Sequence, residues 1–148
     1  HPAFSVDTID VTATQITKSV NSVPGAKKAS DTMGMKYRVD FGAYVFYGSI
    51  NCQLAEKTGF SIEDAESIHM ALTTLFENDS SSARPEGSME VCKVYWWKHN
   101  SKSGQHSSAK VHRTLHVQAK TDAPKSIEDY EITVDALEGL EPEIFEGT

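Results

Sequence analysis

Six histidines are the residues of this chain best suited to metal or proton chemistry. His99 and His106 fall in one polar stretch, and His112 and His116 are four apart in a stretch whose alternation predicts a strand. On a helix that spacing can bring two rings to one metal, but on a strand it leaves them on one face about 13 Å apart. No HExxH, no CxxC and no carboxylate cluster stands near them, so the pattern offers no metal centre. His69 lies beside the apolar stripe of an expected helix and reads as a packed ring. No serine or cysteine lies in a nucleophile elbow, and no glycine-rich loop could cradle phosphates. Paired carboxylates occur only at a helix start and in the tail, where capping and solvent explain them. The expectation is a protein that is not an enzyme and takes no cofactor.

The basic residues carry more. Lys18, Lys27, Lys28, Lys36 and Arg38 fall together, and Lys93, Lys98, Lys102, Lys110, Arg113 and Lys120 form a second block interleaved with Tyr95, Trp96 and Trp97. Cations attract phosphates, and aromatic or flexible apolar side chains can stack on bases. Met33 and Met35, beside Gly34, could insert between bases or fill a gap. The net charge of −7 argues against nucleic acid only as an average. Residues 1–10 carry −2, 11–38 carry +4, 39–90 carry −7, 91–120 carry +6 with no acid, and 121–148 carry −8. Such segregation predicts local basic surfaces on an acidic chain.

The elements that would position these residues follow from periodicity. Residues 32–59 alternate through Val39, Phe41, Ala43, Val45 and Tyr47, with Tyr44 and Phe46 apolar on the other parity. This predicts a central strand covered on both faces, entered through a tight Met33-Gly34 step. Residues 9–20 are rich in Val, Ile and Thr, and residues 21–31 hold Pro24-Gly25 followed by Lys27-Lys28. Two such arms around a basic tip predict a hairpin over 9–38, too poor in large apolar residues to have its own core. Ser61 with Asp64 predicts a helix start, and Ile62, Ala65, Ile68, Leu72, Leu75 and Phe76 a core-facing stripe ending near 77–79. Residues 89–98 and 111–120 read as strands, 99–110 as a polar loop and 130–134 as a short strand.

The chain of 148 residues has the size of one domain, and no apolar run approaches membrane-spanning length. Cys52 and Cys92 lie in apolar, strand-like runs and read as buried thiols in a reducing cytosol. The first residues are His1-Pro2 with no initiator Met, which points to a piece of something longer.

The motifs TMGMK (32–36), VDFGAYVFYGSINCQLAEKTGFS (39–61), FENDSSSAR (76–84), WWKHNSKSG (96–104) and DYEITVDALEGL (129–140) resemble the backbone subunit of type I-C CRISPR Cascade complexes. That subunit is the repeated crRNA-binding protein of the RAMP class, and the resemblance is to its C-terminal half. It implies an α+β fold: a partial RRM-like, ferredoxin-like body (38–120) with a projecting β-hairpin thumb (9–38) and an acidic extension (121–148), within one domain or half-domain. It also implies a cytoplasmic, non-catalytic scaffold that polymerises along crRNA and presents the guide for pairing with target DNA, among other Cascade subunits and away from membranes. RNA contact would fall on Lys18, Lys27, Lys28, Met33, Gly34, Met35, Lys36 and Arg38. Met35 stands where the motif carries a basic residue, so phosphate contact at that step rests on Lys36. A half-body leaves open sheet edges, which predicts self-association or rearrangement. An oligomerising fragment without RNA binding is the second reading, and a metal-dependent RNase the third.

Overall fold

The computed structural model describes residues 1–17 and 33–148. Lys18, Lys27, Lys28 and the expected hairpin tip lie outside the described residues. Among the described residues the fold is α+β, with strands β1 (Phe4–Ser5), β2 (Val11–Thr17), β3 (Met33–Val39) and β4 (Tyr44–Val45) first. Helices α1 (Cys52–Thr58) and α2 (Ile62–Thr73), strand β5 (Lys93–Trp97) and helix α3 (Ser108–His112) follow. Strands β6 (Leu115–Ala119), β7 (Tyr130–Val134) and β8 (Pro142–Glu146) complete the order. The strands pair two by two: β1 with β4, β2 with β3, β5 with β8, and β6 with β7.

The chain divides into two compact units, one of them Pro2–Phe46 with Ala119–Tyr130. In it, β2 and β3 form an unbroken antiparallel ladder from Val11↔Val39 to Thr17↔Met33. Every residue of both strands is exposed, so the pair is a ribbon wet on both faces. The expected central strand over 32–59 is therefore not formed. Its first part is β3, paired only with β2, and its middle is the two-residue β4 against β1. Gly42 stands next to that break, with the Tyr44 ring lying where a Cβ would project. The same unit holds a 3₁₀ turn at Ile127–Asp129, where the Asp129 carboxylate accepts from the N–H groups of Lys125 (2.8 Å) and Ser126 (3.1 Å). Tyr130, the buried side chain among the described residues of this unit, lies 6.2 Å from the Phe41 ring.

The other unit holds His1, Tyr47–Gln118 and Glu131–Thr148. Helix α1 replaces the end of the expected strand. Asn51 caps it through Gln53 N–H (2.9 Å) and Leu54 N–H (3.1 Å), and Gly59 closes it at φ 76. Cys52, expected in a buried strand, is exposed on its first turn. Helix α2 starts where Ser61 and Asp64 predict, with both capping-box bonds formed. It ends at Thr73, earlier than expected, because the Thr73 and Thr74 hydroxyls bond back to the Met70 carbonyl at 2.8 and 3.3 Å. The expected stripe is not the buried face: Ile62 and Ile68 are exposed, while His69 and Thr73 are buried. Strand β5 accounts for this, since its Trp96 lies 5.0 Å from His69, and Phe145 of β8 only 4.1 Å away.

Within 91–120 the expected second strand also splits. Residues 108–112 are helical under a Ser107 cap, and the strand begins only at Leu115. Thr114 makes the corner, its hydroxyl bonding to the Val111 carbonyl at 2.7 Å. The acidic tail supplies β8, whose register on β5 runs from Lys93↔Glu146 to Trp97↔Pro142.

Candidate nucleic-acid interface

A pleated ribbon sends alternate side chains to opposite faces, and directly paired residues share a face. On the β2–β3 ribbon this sorts the chemistry. Met33, Met35, Tyr37 and Val39 lie on one face with Val11, Ala13, Gln15 and Thr17. Gly34, Lys36 and Arg38 lie on the other with Ile16, Thr14 and Thr12. One face is thus apolar and aromatic, the other cationic. The diagonal bond from Gln15 Nε2 to Met33 Sδ (3.1 Å) lies along the apolar face.

The two described cations differ. Arg38 Nε donates to Asp40 Oδ1 at 2.6 Å, and the Thr12 hydroxyl donates to Asp40 Oδ2 at 2.8 Å. The Thr12 hydrogen bond, and then the Arg38 guanidinium, hold the Asp40 carboxyl below the usual carboxylate range. Lys36, across from Thr14, has no acidic partner among the described residues. Among the described residues Lys36 is therefore the uncompensated cation of the ribbon. Gly34 is not a turn residue: it lies in the ladder opposite Ile16, and a Cβ there would meet Ile16 at an ordinary 3.6 Å. Met33 and Met35 stand in solvent, as insertion or stacking requires.

Two of the six cations of the second basic block are held by carboxylates. Lys93 pairs with Glu146 at 2.9 Å, Lys102 with Glu56, and Lys110 meets His106 Nδ1 at 3.2 Å. Hydrogen bonding to these carboxylates raises the pKa of Lys93 and of Lys102. Trp96 belongs to the packed face against α2, while Tyr95 and Trp97 stack on each other at 6.1 Å on the opposite face.

The histidines have structural partners. His112, on α3 and not on a strand with His116, stacks on Tyr47 at 4.7 Å and meets the Gly48 carbonyl at 3.2 Å. His116 meets Asp135 at 2.9 Å, His99 accepts from Gln105 N–H at 3.0 Å, and His106 meets the Glu138 carbonyl at 3.0 Å. His1 stands edge-on to His112, and His69 packs as expected. Among the described residues no three His, Cys, Asp or Glu side chains gather to hold a metal, and no helix is long and apolar enough to cross a membrane.

Sequence reasoning missed Tyr37 and the Thr12–Asp40–Arg38 cluster. The signal for Tyr37 was present: Met33, Met35, Tyr37 and Val39 keep a period of two. The Asp40 cluster depends on β2–β3 register, which no local pattern prints.

Residues 1–135 match the family model described as CRISPR-associated protein Cas7. No curated protein matches the chain.

Proposed function

This chain belongs to the CRISPR-associated protein Cas7 family, and from that premise we propose that it is the C-terminal half of a type I-C backbone subunit that holds guide RNA. The family is that of crRNA-binding, non-catalytic backbone subunits of CRISPR effector complexes, which work beside other subunits. Type I-C rests on the TMGMK and AEKTG motifs and their order along the chain, a pattern shared with close type I-B relatives. In this reading residues 9–38 are the thumb, 38–120 an RRM-like body and 121–148 an acidic extension. Copies polymerise in the cytoplasm along the RNA and leave its bases free to pair with target DNA.

The observation that carries the reading is the β2–β3 ribbon, exposed on both faces, with Lys36 and Arg38 on one and Met33, Met35 and Tyr37 on the other. A ribbon without a core of its own gains by being covered, and its cations suit a polyanion better than a protein interior. Lys18, Lys27, Lys28, Met33, Gly34, Met35, Lys36 and Arg38 are the proposed contacts.

The test is fluorescence anisotropy of a labelled single-stranded RNA at about 50 and 200 mM salt. Wild type should bind with a steep salt dependence, and Lys27→Glu/Lys28→Glu/Lys36→Glu should abolish it. A folded wild type that ignores RNA would leave an oligomerising scaffold fragment in its place.

A further inference from the structure

Tyr37 is the most exposed of the large apolar residues on its ribbon face, at 67 %. The other four tyrosines have a neighbour against the ring, although Tyr44 is itself exposed. Tyr47 stacks on His112, Tyr95 on Trp97, Tyr130 lies by Phe41, and Tyr44 lies over Gly42. Tyr37 has no ring partner among the described residues. Its cross-strand neighbour is Ala13, whose methyl group is too small to shield it. Along β3 it is flanked by Met35 and Val39 at the same-face spacing of about 7 Å. Lys36 and Arg38 precede and follow it, and their side chains leave from the opposite face.

This alternation matches the alternation within a single-stranded nucleic acid, whose bases and phosphates leave the sugar chain on different sides. A strand of RNA following the ribbon edge can lay a base on the Tyr37 ring while Lys36 meets the neighbouring phosphate. Tyrosine suits that use: a rigid plane, little side-chain entropy to lose, and no demand for a particular base. Resting on the RNA-binding reading above, we infer that Tyr37 is a base-stacking residue, the aromatic contact of the ribbon, which reads the presence of a base instead of a charge.

The test compares wild type, Tyr37→Phe and Tyr37→Ala on two labelled oligomers of equal length, an oligoadenylate and an abasic ribose-phosphate chain, at one salt concentration. The side chain is exposed, so both variants should fold as wild type does, and circular dichroism checks this. Tyr37→Ala should bind oligoadenylate about 5- to 140-fold more weakly, the range expected for one lost base–aromatic stack. Tyr37→Phe should stay within about twofold, because the ring and not the hydroxyl does the stacking. All three should bind the abasic chain equally. Undiminished binding of oligoadenylate by Tyr37→Ala overturns the inference. So does an equal loss on both oligomers, which would make Tyr37 a support of the ribbon's shape. Wild type that binds neither oligomer overturns the RNA-binding reading itself, and the stacking role with it.

Discussion

Lys36 and Arg38 are two residues apart on one face of one strand, yet their surroundings give them different weight. Arg38 is tied to Asp40, and the local charge is close to balanced; Lys36 has no acidic partner among the described residues. For a single strand each phosphate-neutralising cation adds about 0.7 to the slope of log affinity against log salt. Lys36→Ala should therefore lower that slope by about 0.7 in a salt titration of RNA binding. Asp40→Asn removes the charge that offsets Arg38, and the slope should rise by about the same amount. An unchanged slope in both variants would place the phosphate contacts elsewhere. Tyr130 supplies a test of another kind. Burial, reinforced by the Asp7 carboxylate beside it, pushes its hydroxyl up to about 12 from the usual value near 10. A folded-state pKa raised above the unfolded one favours the folded state fully below about 10 and loses that support as pH climbs through about 12. Tyr130→Phe keeps the ring against Phe41 and removes the titration, so its denaturant midpoint should fall less than that of wild type between about pH 10 and 12. Parallel falls would show that Tyr130 does not govern the alkaline limb.

At the scale of elements, helix α2 tests how far local signals reach. Ser61 and Asp64 exchange the two bonds of a capping box, and nothing in the partner strands is needed to form them. Ser61→Ala should cost about 1 kcal/mol, read as a lower urea midpoint with unchanged slope. No change would mean that this helix end is held by packing alone. The capping box was legible in the sequence because it is written within four residues. The buried face of α2 was not, because β5 and β8 choose it: Trp96 and Phe145 close on His69, and Ile62 and Ile68 are left outside. Helix α1 shows the converse. Its Asn51 and Gly59 caps are plain residues in plain positions, but the apolar alternation before them gave the stronger pattern. The ribbon was legible as a pair of Val- and Thr-rich arms. Its register, and with it the separation of Tyr37 from Lys36 by face, is a property of two strands together and is absent from either alone.

At the scale of the whole molecule, each unit keeps apolar surface in solvent that folding did not absorb. In one it is the Met33–Tyr37 face of the ribbon. In the other it is the α1–α2 surface, where Leu54 is 59 % and Ile62 70 % exposed and open hollows run past Phe60 and Ile68. Acids crowd the second surface at Glu63, Asp64 and Glu66, whereas the segment that holds the ribbon is basic. The ribbon face is the one proposed above for RNA, which leaves the α1–α2 surface to meet a non-equivalent face of the next copy, and such contacts propagate along a line when the rotation does not close a ring. The proposed reading, copies along a guide, needs that kind of contact. Sedimentation velocity should give a mass above the 16.3 kDa of one chain and rising with protein concentration. Covering an exposed Leu or Ile contributes about 1.5 kcal/mol or more, so Leu54→Glu/Ile62→Glu should weaken association on the order of 100-fold. The α2 cap and far-UV circular dichroism should be unaffected, because both side chains point to solvent. A wild type that stays at the mass of one chain at every concentration would sink assembly through these faces. An association indifferent to the two glutamates would move it from the helices to the ribbon.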